Sequence, residues 1–456
     1  MDHRLDTLDE AITEGAQSPV SGVNSALIAG DAIAHIPKLR VLIELPAYLL
    51  VQISWFAAFG MQMVIFPFLL KNELEVSGTL LGLAQTALAA PSVVFILLGG
   101  VVAERAEGKT LLTAFHLAAA APAALLGLFV LEDSLTYWMM LLYALAMGTV
   151  GAFMLPARDA ILNEIVGRRR ASGSQITLHQ GVAFATLAQF AAQILGLWIG
   201  GQANEETAGP LLWVQGGVVG LGALAAAFLV RGRVVQSQVE SPGTVMKDIA
   251  DGLRCVRRDP VLLCMVLSMF GVGVFVIGAF LVILPIINHD VYHSDAEGLR
   301  NIFVTFWAGA FCSSAAIVRL RNPSRPGRFL LIAQFTGSAG ILILIGGAPY
   351  WAFLSLVFIW GLASGVSIMM SRGIVQAAAP GPLLARVLSI YQLGFMAGAP
   401  VGAALMGVIA DQAGPHLVAL VPSLGMLTMI AWMGFFTPIW SLRPVSASSA
   451  GQGDKD

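Results

Sequence analysis

From about residue 40 onward the chain is a succession of apolar runs, each near 20 residues long, separated by short breaks of charge, proline or glycine. A helix needs about 20 apolar residues to cross roughly 30 Å of hydrocarbon. Candidate spans lie near 46–70, 79–102, 110–131, 135–157, 173–200 and 209–230, then near 261–286, 301–320, 328–347, 350–371, 385–410 and 417–440. The 57% hydrophobic content exceeds the roughly 45–50% of soluble domains, which excludes a soluble enzyme. The expected fold is an all-α membrane protein of about twelve transmembrane helices in two pseudo-symmetric six-helix bundles.

The positions of the charges say more than their sum of -2. If the N-terminus is cytoplasmic, every Lys and Arg except Lys71 and Arg300 falls on the cytoplasmic side or at its membrane boundary, as the positive-inside rule requires. The opposite loops are short and acidic, with Glu73, Glu75, Glu132, Asp133, Glu205, Glu206, Asp290, Asp295 and Glu297. Both termini are therefore expected inside. The organisation expected is a cytoplasmic tail over 1–40, an N-terminal bundle over 41–230, a linker over 231–260, a C-terminal bundle over 261–442 and a second tail over 443–456. The first forty residues lack the basic and apolar regions of a signal peptide. Within the linker, Met246, Ile249, Leu253 and Val256 recur at helical spacing, which predicts an amphipathic surface helix.

The halves echo one another, a mark of transporter folds made by duplication. Gly151 precedes Arg158 by the interval at which Gly365 precedes Arg372, each pair closing the fourth span of its half. LGLWIGGQA, Leu195 to Ala203, is loosely matched by MGVIADQAG, Met406 to Gly414.

A helix facing lipid is apolar all round, so a polar stripe marks a face toward protein or a water-filled cavity. The fifth span has one: Ser172, Gln175, His179, Thr186, Gln189 and Gln193 follow spacings of three, four and seven. Gln52, Gln62 and Gln85 are expected neighbours, and Gln392 lies on the corresponding face of the eleventh span. Trp55, Trp307, Trp360 and Tyr391 can supply stacking surfaces for a mostly uncharged, amphiphilic small molecule. The competing reading is interhelical hydrogen bonding, at about 0.6 kcal/mol a pair, with no cargo contact. His179 is the titratable candidate for proton coupling, since an imidazole changes charge near physiological pH. His116, in the third span, is expected to be structural.

Other chemistries find little support. Cys255, Cys264 and Cys312 have no paired spacing for a disulfide framework or zinc site. HDVYH, His289 to His293, reads as a solvated loop before it reads as a metal site, and no metal or other cofactor is expected. GVVGLGALAAA follows no strand and suits close helix packing, not nucleotide binding. With no P-loop and no nucleophile-base-acid set, the chain is expected to be neither an enzyme nor a nucleic-acid binder.

The loop GGVVAERAEGK, Gly99 to Lys109, resembles the signature loop between spans two and three of the major facilitator superfamily, with Glu104 where Asp is usual, Arg105 matching the Arg and Lys109 keeping the last basic position. DIADGLRCVRRDPVL, RPGRFLLIAQ and ARVLSIYQLGFMAGAPVGAALMGVIAD resemble the enterobactin-exporter branch of that superfamily. The resemblance spans about residues 38–440. It implies a bacterial inner-membrane exporter, monomeric, working by alternating access on small organic cargo such as a siderophore or drug, with protons as the driving partner. An importer or lysolipid flippase on the same fold is the alternative, and a non-transporting sensor stands further off. It also implies gating at the cytoplasmic boundary. Arg105 would pair with Asp159, Glu104 would face the N-terminus of span eleven, whose dipole favours an anion, and Arg158 and Arg372 would close the fourth spans. The triplet Arg168, Arg169 and Arg170 reads as an orientation signal. Two departures stand out: Met61 replaces the acid common in the first span, and Ala192 and Gln193 replace a Gly-Pro kink that the second half keeps as Gly398, Pro400 and Gly402.

Overall fold

The computed structural model describes residues 38–105, 107–173, 178–229, 242–320, 325–343, 348–380 and 383–442. The first half is built from α1 (Lys38–Phe68), α2 (Gly78–Arg105), α3 (Gly108–Leu131), α4 (Tyr137–Ala171), α5 (Leu178–Gly200) and α6 (Ala208–Ala226). An amphipathic helix, α7 (Pro242–Arg258), connects to α8 (Pro260–Gly271), which continues through wide π turns to Val291. The second half is completed by α9 (Ala296–Leu320), α10 (Pro326–Ile343), α11 (Tyr350–Ala378), α12 (Leu384–Leu417) and α13 (Leu420–Phe436). Among the described residues eight helices carry apolar stretches long enough to cross a bilayer, and α5 and α13 contribute shorter ones. The linker and the charged boundary segments share one end of the molecule, called here the linker end; the short acidic loops form the far end.

The packing of the first half is repeated in the second. The pairs α1 with α5, α2 with α4 and α3 with α6 correspond to α8 with α12, α9 with α11 and α10 with α13. The likeness extends to single hydrogen bonds. α1 ends in a π turn, Leu69–Glu73, in which Leu74 N–H donates to Leu69 O, and α8 ends in Ile287–Val291, in which Tyr292 N–H donates to Ile287 O. Each is followed by a residue of positive φ, Glu75 at 46° and His293 at 47°. The halves meet most closely through α2 and α12, with α5 against α9 on the pseudo-symmetric side.

Lipid supplies no hydrophobic drive between helices, so association depends on close packing at small residues. At the α1–α5 crossing a Cβ on Gly196 would sit under 3.0 Å from the Ala57 carbonyl; at the α8–α12 crossing one on Gly402 would do the same to the Val274 carbonyl. Backbone oxygens cannot swing aside as side chains can. Outward faces carry Trp138, Leu142, Trp351, Phe435 and Phe436, all largely exposed, as a hydrocarbon-facing surface should.

α4 runs well past the apolar stretch expected at 135–157, so the charged segment up to Ala171 is helical. Arg168 thereby reaches Glu44 near the start of α1, with Nε donating to Oε2 at 3.2 Å and Nη2 to Oε1, while its Nη1 bonds Glu164 at 3.1 Å. Burial opposes the Arg168 charge, yet hydrogen bonds and attraction from Glu44, then Glu164, outweigh it and hold the guanidinium above its ordinary pKa. Glu44 is fully buried. At least one of the three arginines thus has a structural partner beyond any orienting role. α7 packs on α8 and α12, with Val256 buried and Leu253 exposed; the side chains of Met246 and Ile249 lie outside the described residues. Asp259 caps α8, accepting from Val261 N–H at 2.8 Å and Leu262 N–H at 3.1 Å.

At the far end the two halves are joined. Asp411 of α12 accepts from the N–H groups of Gly78 and Thr79, at 2.6 and 2.8 Å, so a carboxylate of one half caps the first turn of α2 in the other. Lys71 Nζ lies 3.2 Å from Asp290, which also accepts from His289. Arg300 stacks over Trp198, 4.3 Å from guanidinium carbon to ring centroid. Deeper in, the Thr86 hydroxyl is shared between the Gly82 carbonyl of its own helix, at 2.8 Å, and the Pro400 carbonyl of α12, at 3.0 Å.

This packing makes the crossings and the far-end cap separately testable. Gly196→Val or Gly402→Val should cost more than about 2 kcal/mol, seen as loss of monodisperse protein and a lower unfolding temperature, whereas Gly217→Val, with nothing near its Cβ position, should be silent. Asp411→Asn should leave the fold intact and shift the protein about fivefold toward an open far end (about 1 kcal/mol), measured as reduced cross-linking between cysteines placed at Lys71 and Asp290 in a background free of the three native cysteines.

Candidate functional site

Between the halves lies a cavity of about 450 Å³, within the few hundred to a thousand of small-molecule sites. α1 contributes Trp55, Phe56, Ala58, Phe59 and Gln62; α2 contributes Leu88 and Ser92; α4 contributes Met147, Gly148, Gly151 and Arg158. Gln189 comes from α5, Val219 from α6, and Gln392, Phe395 and Met396 from α12. The wall is largely aromatic and aliphatic, with three amides, one hydroxyl and one cation set into it among the described residues.

Arg158 enters at the linker-end side of α4. Its guanidinium carbon sits 5.4 Å from the Phe56 ring centroid, and its carbonyl accepts from the Tyr48 hydroxyl at 3.4 Å. A cation over an aromatic face is attracted by the ring's electron density. Gly151 leaves the floor open, since a Cβ there would meet only Trp55, at 3.9 Å. Behind Trp55, buried His116 stands edge-on with ring centroids 5.9 Å apart and Nδ1 2.7 Å from the Leu112 carbonyl, which matches a structural histidine.

The polar residues expected to gather here divide into groups. Gln62, Gln189 and Gln392 line the cavity. Gln52, Gln85 and Gln193 are buried but lie outside its wall, and Gln193 Nε2 points to Met63 Sδ at 3.4 Å. Thr186 is exposed on α5. Trp307 and Trp360 line a second, smaller cavity inside the C-terminal half. Tyr391 is buried, with its hydroxyl 2.6 Å from that of Ser371.

Of the boundary charges, Lys109 Nζ donates to the Ala227 carbonyl at 2.6 Å, within its own half, and Arg372 is exposed. The side chains of Glu104, Arg105, Asp159 and His179, and all of Gln175, lie outside the described residues. Phe56, Phe59 and Phe395 were not singled out in the sequence, although Phe59 precedes Gln62, and Phe395 follows Gln392, by one helical step of three.

Residues 48–382 match the family described as Major Facilitator Superfamily. An uncharacterized transporter of that type, YfiS of Bacillus subtilis, is 24% identical over 371 residues, covering 78% of this chain and 86% of its own. The enterobactin exporter EntS of Shigella flexneri is 24% identical over 183 residues, 40% of this chain, and that of Shigella dysenteriae 24% identical over 235, 50% of this chain. The matched stretches span about half the length of those exporters, 42% and 56%. Among solved structures, a mutant form of the nucleoside transporter NupG superposes with a TM-score of 0.71 at 12% identity, over 86% of this chain and all of that one. A D-xylose-proton symporter gives 0.67 at 11% identity, over 88% of this chain and all of that one. These structural likenesses establish the fold. With the family matched over most of its length, and with the described helices packed as two repeated sets around a central cavity, the chain belongs to the major facilitator superfamily and is a multi-pass membrane transporter, not an enzyme.

Proposed function

We propose that the protein is a proton-driven exporter of a small amphiphilic organic compound, working by alternating access in a bacterial cytoplasmic membrane with the linker end inside. The observation that carries the reading is the central cavity, with its aromatic walls, three amides and Arg158, lying beneath a far end at which Asp411, Lys71 and Arg300 join the halves. A cargo entering from the linker end would meet Arg158 first, which favours an acceptor-rich or acidic group on an otherwise apolar molecule. Export as the direction draws on the similarity to the enterobactin exporters, and the orientation on the distribution of Lys and Arg.

Proton coupling rests on the family resemblance in the sequence, with His179 of α5 as its titratable candidate. Among the described residues no carboxylate lines the cavity, and Met61 occupies the first-span position where an acid is common. A transporter reconstituted in proteoliposomes therefore separates the cases. Flux of a catecholate siderophore, a lipophilic cation or a lysolipid is measured with and without an imposed pH gradient. Gradient-dependent movement toward the far-end compartment supports the proposal. Flux indifferent to the gradient makes it a facilitator, lysolipid flux alone makes it a flippase, and no flux for any of the three overturns the reading.

In that assay, Gln62→Leu combined with Gln189→Leu should lower flux about tenfold with insertion unchanged, through loss of hydrogen bonds to the cargo. Gln193→Leu, whose amide is turned to Met63, should leave flux within about twofold of wild type.

A further inference from the structure

The outward face of the C-terminal half carries an open groove of about 530 Å³ between α10 and α13, toward the linker end and sharing no residue with either cavity described above. Leu331, Ile332 and Phe335 of α10 and Ile430, Gly434 and Phe435 of α13 form its walls. Trp440, on the short turn Pro438–Ser441 that follows α13, stands at its linker end. Ile332, Phe335, Phe435 and Trp440 are all exposed, which on membrane-spanning helices means contact with lipid. Gly434 keeps the wall open, since a Cβ there would meet only Leu331, at 4.0 Å.

A cation stands at the Trp440 end of this apolar surface. Arg328 precedes Leu331 and Ile332 by one helical turn, on the same stripe of α10. Its Nε donates to the Trp440 carbonyl at 3.2 Å, in an exposed bond, and its guanidinium carbon sits 5.1 Å from the Trp440 ring centroid. The end of the fork, Nη1 and Nη2, is left to grip two phosphate oxygens at once. Arg325 is exposed one turn nearer the end, its carbonyl accepting from the Arg328 N–H at 3.1 Å. The protein supplies no counter-charge here. From Gly298 to Ala410 the sequence has seven arginines and no Asp or Glu, and the next acid, Asp411, is engaged at the far end. Neither Arg325 nor Arg328 is in an ion pair among the described residues. An apolar groove that ends in such cations at the membrane boundary complements a molecule with an acyl chain and an anionic headgroup.

We propose that the groove binds one anionic phospholipid, with an acyl chain along α10 and α13 and its phosphodiester on Arg328, Arg325 adding to the attraction. A zwitterionic lipid offers the same phosphate but brings a cationic group beside the two guanidinium groups, so the site discriminates by net charge. It stands on the groove and its cations and does not depend on the transport reading.

The test uses full-length protein, delipidated in a neutral detergent and titrated with phosphatidylglycerol or phosphatidylcholine of the same acyl chains, with bound lipids counted by native mass spectrometry. Wild type should hold one phosphatidylglycerol about tenfold more tightly than phosphatidylcholine. Arg325→Gln combined with Arg328→Gln should abolish that preference, leaving the two lipids within about twofold of each other. Gly434→Leu fills the groove and leaves both arginines in place; it should weaken both lipids about fivefold, and it keeps the proposal testable if the arginine variant fails to fold. Arg170→Gln removes an exposed boundary arginine of the other half and should change neither affinity. Equal binding of the two lipids by wild type, an unchanged preference in the double variant, no effect of Gly434→Leu, or the same loss in Arg170→Gln would each overturn it. Displacement of the bound lipid by equimolar glycerol phosphate would make this a phosphate site without a chain, and a lipid-free dimer would make the groove an interface between copies; either result also overturns it.

Discussion

Everything in this molecule depends on helices approaching one another closely enough to adhere in a solvent that gives them no reason to. In lipid the gain comes from dispersion contacts between backbones, and these require positions where nothing protrudes. Gly196 against Ala57 and Gly402 against Val274 are such positions, one in each half, at crossings related by the internal repeat. They hold the first and fifth helices of each half in close contact.

The seam between the halves combines one such crossing with polar contacts. Gly82 and Gly407 bring α2 and α12 together, but the bonds across the far end are a carboxylate on two amides, one exposed ion pair and one guanidinium on an indole. An ion pair near solvent contributes at most about 1 kcal/mol, and a carboxylate on a helix N-terminus is of similar size. The halves are thus held in two ways: α2 and α12 approach backbone to backbone, as the helices within each half do, while the remaining far-end contacts are polar and involve few atoms.

Much of this organisation can be read in the chain because the bilayer imposes a simple rule on composition. Apolar runs near 20 residues locate the helices, and the Lys and Arg distribution tells one end of the molecule from the other. The polar face of α5 points to the central cavity through Gln189, and Gln62 and Gln392 join it as their spacing suggests. What does not show in a linear pattern is pairing across distance. Asp411 is one acid at a helix end, and only the fold places it on Gly78; Glu44 sits before the apolar run of α1, and only the length of α4 carries Arg168 to it. Gln193 keeps the same helical face as Gln189, yet one further turn moves it from the cavity wall to the α1–α5 contact, because that crossing closes there. Periodicity identifies a face; depth along the face is decided by where the neighbouring helix comes close.

The duplication also explains how two unlike cavities arise in one symmetric frame. The backbone repeat is close enough that Leu74 and Tyr292 make equivalent hydrogen bonds, each before a residue of positive φ. Side chains are under no such constraint. The N-terminal half contributes most of the central cavity's wall, with Arg158 and two of its amides, whereas the C-terminal half holds four connected aromatic rings around a small space with Gln334 in its wall.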